Sequence, residues 1–201
     1  GSKVAKEVAK LLDYKYIDRE FIWSVMKQYG GTHFDRIYDS QLGFWEKYSN
    51  HINEITELFK KIIISIAKHD NVVIVGRGSF ASLSEYENVI NVMIYAPLDA
   101  RISAIMETGE FDSAQDAEKH ILHKDKTRQS FIESTYNIKW NDIHNFDMVF
   151  NSAKVDSSTI TEAIIKAAKL IEKEIPTPVK LSSNMLSDDI LDGTVRKLMK
   201  E

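Results

Sequence analysis

The chain has 201 residues, 43% of them apolar, no cysteine, and 26 basic against 30 acidic side chains for a net charge of -4. That is enough apolar material for one α/β domain with an appendage, while the lack of thiols excludes disulfides and thiolate metal sites and points to a cytoplasmic location. The acidic balance argues against a nucleic-acid polymer as partner and no apolar run is long enough for a membrane; a basic pocket for a small anion and a homo-oligomer both stay open.

In chain order, Val4, Val8, Leu11 and Leu12 fall at helical spacing, which predicts a helix from Lys3 to Leu12 with Ser2 as its N-cap. Tyr14 to Ile17 reads as a short strand with Asp18 and Arg19 just past its end. From Arg19 to about Lys68 the pattern is helical and rich in rings, with Phe21, Trp23, Tyr29, Phe34, Tyr38, Phe44, Trp45 and Tyr48 spread through it. Gly30 and Gly31 break this stretch into a helix over Glu20–Gln28 and a stronger one over Asn53–Lys68, which would bury Ile55, Leu58, Phe59, Ile62, Ile63 and Ile66. Such an insert suits a flap over a substrate, or simple core packing, since large rings mainly supply buried area.

The chain turns on Asn71–Phe80. Three valines and an isoleucine, Val72 to Val75, read as a strand buried on both faces, the habit of parallel sheets covered by helices. Gly76, Arg77 and Gly78 follow. A guanidinium between two glycines at the carboxyl end of such a strand sits where open α/β sheets bind ligands, and suits a phosphate or carboxylate; a plain turn with a solvated arginine is the alternative. A short helix over Ala81–Tyr86, a strand over Val89–Ala96 stopped by Pro97, and a helix over Asp99–Glu107 carrying Arg101 come next.

Ser113 caps a further predicted helix to Gln129. Its later turns carry Lys124, Asp125, Lys126 and Arg128, with Lys124 and Arg128 on one face at i and i+4. Like charges at that spacing oppose a helix mildly unless an anion joins them, so the cluster is either an anion site or a solvated surface. His120 and His123 share a face, but two imidazoles fall short of a zinc ligand set. Phe131–Asn145 ends in a polar, loop-like stretch, Phe146–Phe150 forms a last strand, and a helix runs to Glu174. Pro176 and Pro178 mark a linker, dividing residues 1–175 from a segment 176–201 that holds a short helix, either an arm or the start of a further domain.

The blocks SKVAKEVAKLLDYKYIDREFI, VVIVGRGSF, VMIYAPLDARI and HKDKTRQSFIESTYNIKWNDIHNFDMVFNS together resemble the cytidylate kinase-like family, a branch of the P-loop nucleoside monophosphate kinases. The likeness runs from Ser2 to about Glu174. It implies a three-layer α/β P-loop kinase fold with a central parallel sheet, whose first strand would lie upstream of this sequence, plus a helical insert and a lid from Lys124 to about Asn145. Gly1 and Ser2 look like the end of a phosphate loop. The resemblance then implies that Gly1, Ser2 and Lys3 hold donor phosphates, that Ser2 and Asp18 reach Mg²⁺, and that Asp18 and Arg77 hold the acceptor. Arg101, Lys124, Lys126 and Arg128 would gather charge around the phosphoryl group. The implied activity is phosphoryl transfer from ATP to a nucleoside monophosphate such as CMP. A non-catalytic nucleotide-binding module and a kinase of another metabolite are the alternatives.

Overall fold

The computed structural model describes residues 1–28, 50–76, 78–174 and 188–200. Helix α1 spans Ser2–Leu12, strand β1 Lys15–Ile17, α2 Arg19–Gln28 and α3 Asn50–Ala67. Strand β2 spans Val72–Ile74, α4 Ser79–Leu83, β3 Val92–Tyr95 and α5 Leu98–Met106. Helix α6 runs over Ala114–Tyr136, β4 over Met148–Asn151, α7 over Ser157–Glu174 and α8 over Asp189–Lys200. Gly30, Gly31, the rings from Tyr29 to Tyr48, Arg77 and the Pro176 to Pro178 linker lie outside the described residues.

The described strands form two parallel pairs. β1 pairs with β2 in the register Lys15 to Val72, and β3 with β4 in the register Val92 to Met148. No ladder joins β2 to β3 among the described residues. The two pairs are nevertheless held by one helical layer, because Val4 and Val8 of α1 and Ile160 of α7 form a cluster that receives Val73 from β2, Ile94 from β3 and Phe150 from β4. Successive strand residues point to opposite faces. Thus Val72 and Ile74 turn the other way, into the larger core made by α2, α3, α6 and α8 around Ile22, Met26, Phe59, Ile63 and Phe131. The β1–β2 pair therefore has helices on both faces. Burial of β2 and β3 is only partial, less than the all-apolar run over Val72–Val75 suggests.

Three local readings are corrected. Gly1, not Ser2, occupies the N-cap of α1, and Ser2 is the first helical residue. Leu11 is 56% exposed while Ala9 is buried, since the buried arc of α1 swings toward α7 and the β1–β2 pair rather than centring on Leu11. Helix α6 continues seven residues beyond Gln129: Thr127, Phe131 and Ile132 keep its buried stripe going through the segment expected to be a lid and loop. It stops where Asn137 takes a left-handed cap at φ 56°, a conformation asparagine tolerates.

Helix α8 returns onto α2 and α3, with Leu191 and Val195 buried in the larger core. Asp188 caps it, its carboxylate accepting from the Ile190 and Leu191 amides at 3.0 Å each. Asp192, in the first turn of the same helix, is buried. One of its oxygens accepts from the Ser65 hydroxyl at 3.3 Å and the other from Arg196 at 3.3 Å. His69 Nε2 lies 3.0 Å from Asp192 but without the alignment of a hydrogen bond. Lys15 of β1 donates to the Met199 carbonyl at 3.0 Å, completing the last turn of α8.

Candidate active site

The carboxyl ends of the strands and the start of α1 bring together most of the polar residues of interest. Asp18, just past β1, caps α2: one carboxylate oxygen accepts from the Glu20 amide at 3.0 Å and the Phe21 amide at 3.2 Å. Between Asp18 and α1 stands Tyr16. Burial first, then the charge of Asp18, push its hydroxyl above its ordinary value, against the pull of a hydrogen bond with the Ser2 side chain.

The N-cap of α1 lies against β3, where a side chain on Gly1 would come within 3.9 Å of Ile94. The Gly1 amino group is pushed below its ordinary value by burial and then by the charge of Arg128, whose field therefore reaches the amino-terminal end of α1. The opening amides of any α-helix have no partner within it, so this end pairs unspent N–H donors with a guanidinium.

Arg128 is part of a larger arrangement. Helix α5 presents Arg101, and α6 packs against α5 and presents Asp125 and Arg128 one turn apart. Arg101 donates through both terminal nitrogens to Asp125, at 2.5 and 2.9 Å, in the bidentate fork that suits a guanidinium to a carboxylate. Arg128 donates to the same carboxylate at 3.1 Å and lies 5.5 Å from the centre of the Trp140 ring. Two guanidiniums share one carboxylate, which leaves one positive charge unmatched within the trio. An anion placed between them and the start of α1 would complete the balance.

Of the sequence-based set, the structure joins Arg101 to Arg128 through Asp125, and Tyr16 feels both Ser2 and Asp18. Lys3, Lys124 and Lys126 are exposed, and Lys126 lies two residues from Arg128, nearly opposite it around the helix. Asp125, Tyr16 and Trp140 were not among the expected site residues. A carboxylate inside a basic run and three residues before an arginine is the one signal for Asp125 that the sequence carries. The glycines flanking Arg77 have φ of 72° and 70°, in the left-handed region where a side chain is strained. Among the described residues no group of three His, Asp or Glu side chains could hold a metal ion by itself, and no helix is long and apolar enough to cross a membrane.

Comparison with known families matches residues 1–154 to the cytidylate kinase-like family. The chain belongs to that family. It is 24% identical over 174 residues to a protein named cytidylate kinase from Methanocaldococcus jannaschii, covering 85% of this chain and 92% of the relative. A second cytidylate kinase, from Saccharolobus islandicus, is 25% identical over 184 residues and 89% of each chain. Among solved structures, an uncharacterized protein from Eubacterium ventriosum superposes with a TM-score of 0.68 at 23% identity, covering 85% of this chain and 92% of that one, which shows a shared fold. Family membership makes the protein a kinase-like phosphotransferase, and the trio Arg101, Asp125 and Arg128 lies in the matched region.

Proposed function

We propose that this cytidylate kinase-like protein transfers the terminal phosphoryl group of ATP to the phosphate of a nucleoside monophosphate, CMP being the first acceptor to test. The observation that supports this best is the pairing of Arg101 and Arg128 through Asp125 beside the amino-terminal end of α1. The bond from the terminal phosphorus to the bridging oxygen of ADP breaks as an acceptor phosphate oxygen bonds to phosphorus, so charge spreads over three oxygens in transit. Guanidiniums fixed in advance around those oxygens stabilise that charge without reorganising. On this reading the α1 amides at Gly1, Ser2 and Lys3 cradle the donor phosphates. Arg77 and Asp18 face the acceptor, and Lys124 and Lys126 raise the local positive potential from the exposed side of α6.

Mg²⁺ binds through hard oxygen ligands, usually one or two protein groups together with substrate phosphates. The Ser2 hydroxyl and the Asp18 carboxylate oxygen not engaged by the α2 amides fit that chemistry and would hold it. When bound, the ion neutralises charge on the donor phosphates. The resulting partners are ATP and a small phosphate-bearing acceptor, in a cytoplasmic protein.

A coupled ADP-release assay across the nucleoside monophosphates tests the reading. The expected result is turnover with a preference for CMP, and Arg128→Ala should lower kcat about 10²-fold or more, the scale of losing one preorganised donor. ATP binding with no turnover on any acceptor would refute catalysis and leave a nucleotide-binding module. Turnover confined to a small alcohol would move the acceptor outside the nucleotides.

A further inference from the structure

Gly78, the second glycine of the turn after β2, is closed to a side chain twice over. Its φ is 70°, and a Cβ built there would stand 2.6 Å from Tyr136 Cε2, closer than real contacts allow, and a tight 3.2 Å from Cδ2. The ring that fills this space belongs to the last residue of α6, the helix that carries Asp125 and Arg128. Its hydroxyl is hydrogen-bonded to the Ser82 hydroxyl of α4 at 3.1 Å, and the Lys60 ammonium of α3 lies 5.6 Å from its centre.

A second contact involves the same small helix. The Phe80 ring of α4 packs against that of Phe146, just before β4, with centres 4.7 Å apart and planes tilted by 39°. Residues 137–145 are therefore tied to α4 at both ends, by Tyr136 before them and Phe146 after. Within that stretch lies Trp140, against the Arg128 guanidinium. The Gly76–Gly78 turn thus meets Tyr136, and four residues further along the chain Trp140 meets Arg128, so the backbone over residues 137–139 joins the two contacts.

We infer that Tyr136 is a positioning residue that couples the acceptor side of the site, at the Gly76–Gly78 turn, to the phosphoryl-binding Arg128. The inference rests on the reading of the site given above. Closely packed contacts of this kind have discrete arrangements rather than a continuous range, so a ligand that fixes the turn also fixes the ring and, beyond it, the indole under Arg128. The consequence is synergy: an acceptor bound at the turn lowers the cost of ordering Arg128 for ATP, and linkage makes the effect reciprocal. A glycine at 78 is then required by the ring as well as by the backbone.

The test is the affinity for a non-hydrolysable ATP analogue, by calorimetry, with and without saturating CMP, together with steady-state kinetics, in the wild type, Tyr136→Phe, Tyr136→Leu, Gly78→Ala and the double variant Gly78→Ala/Tyr136→Leu. In the wild type CMP should tighten the analogue by roughly 5-fold or more, the usual scale of such coupling. Tyr136→Leu and Gly78→Ala should each abolish that factor and raise the CMP KM about 10-fold, with the ATP KM in the absence of coupling unchanged. Because both changes break one contact, the double variant should fall well short of the product of the singles. Tyr136→Phe keeps the ring, so it should retain most of the coupling and guards against misfolding of the leucine variant. Wild-type turnover with synergy unchanged in all variants, or fully multiplicative effects in the double variant, overturns the inference and leaves the kinase reading standing. A wild type that binds neither analogue nor CMP overturns both.

Discussion

Replacing Asp125 with asparagine isolates the bridge between the two arginines. Asparagine matches the carboxylate in size but carries no charge, and its amide group would meet a guanidinium donor to donor. Three charge-assisted bonds are lost or weakened, at 2.5, 2.9 and 3.1 Å. The Asp125 side chain is 20% exposed, that of Arg101 34% and that of Arg128 42%, so the trio is neither a fully solvated pair nor a buried one. Exposed pairs contribute about 0.2–1 kcal/mol, and hydrogen bonds to charged groups about 1.5–3 kcal/mol. A half-covered bidentate contact with a weaker third bond falls between these, at about 2 kcal/mol. For a chain of this size that lowers Tm by roughly 4–8 °C. The two guanidiniums then repel each other with no anion between them, and ATP can supply one. The expected result by scanning fluorimetry is a lower Tm without ligand, a larger ATP-induced rise in the variant than in the wild type, and a difference that narrows with added salt. Turnover should fall even though ATP binds no more weakly, because the arginines have lost their register. Equal melting within about 1 °C and equal responses to ATP would refute the bridge as an organising contact.

Two further outcomes concern the frame around the site. Leu191 is 2% exposed in the core shared by α2, α3 and α8, so Leu191→Ala should cost about 2–5 kcal/mol in urea denaturation with one cooperative transition; a separate early transition for α8 would refute the shared core. Asp156 at the start of α7 accepts from the Ser158 hydroxyl and then from the Thr159 amide and hydroxyl, with the Ser158 amide a smaller contributor, and those bonds hold its carboxyl well below the usual range. A depressed folded value stabilises the protein above the unfolded pKa of about 4 and is lost as pH falls through the folded one. Asp156→Ala should therefore lower Tm at pH 7, with the gap to the wild type closing in strong acid; a gap that stays constant to pH 2 would count against the cap.

The fold was legible wherever burial follows a single period. The apolar stripe of α3 from Phe59 to Ile66 and the run from Val72 to Ile74 stand out because one partner layer accounts for each face. Legibility failed where an element serves two partners. Helix α1 must meet α7 on one side and the β1–β2 pair on another, so its buried arc is wider than the Val4, Val8 and Leu11 stripe and takes in Ala9, a residue too small to register in a pattern of large side chains. In α6 the charged run from Lys124 to Arg128 masks a thinner stripe of Thr127, Phe131 and Ile132, and the helix outlasts the point at which polarity suggests an end.

The site was legible by residue type and not by pairing. Arg101 and Arg128 lie 27 positions apart, and each alone reads as readily as a solvated cation; what distinguishes them is a third residue of opposite sign that the fold places between them. Sequence spacing shows Asp125 next to Arg128 on one helix but contains nothing about α5, whose packing on α6 brings Arg101 to the same carboxylate. The same holds at Gly78. Its sequence context suggests either a plain turn or the flank of an anion-binding arginine, and the turn is present at φ 70°, yet the group packed against it is a tyrosine 58 residues further along. A glycine between a strand and a helix can thus be required by the protein's own side chain, and its substitution would then disturb the far end of α6 before it disturbed any ligand.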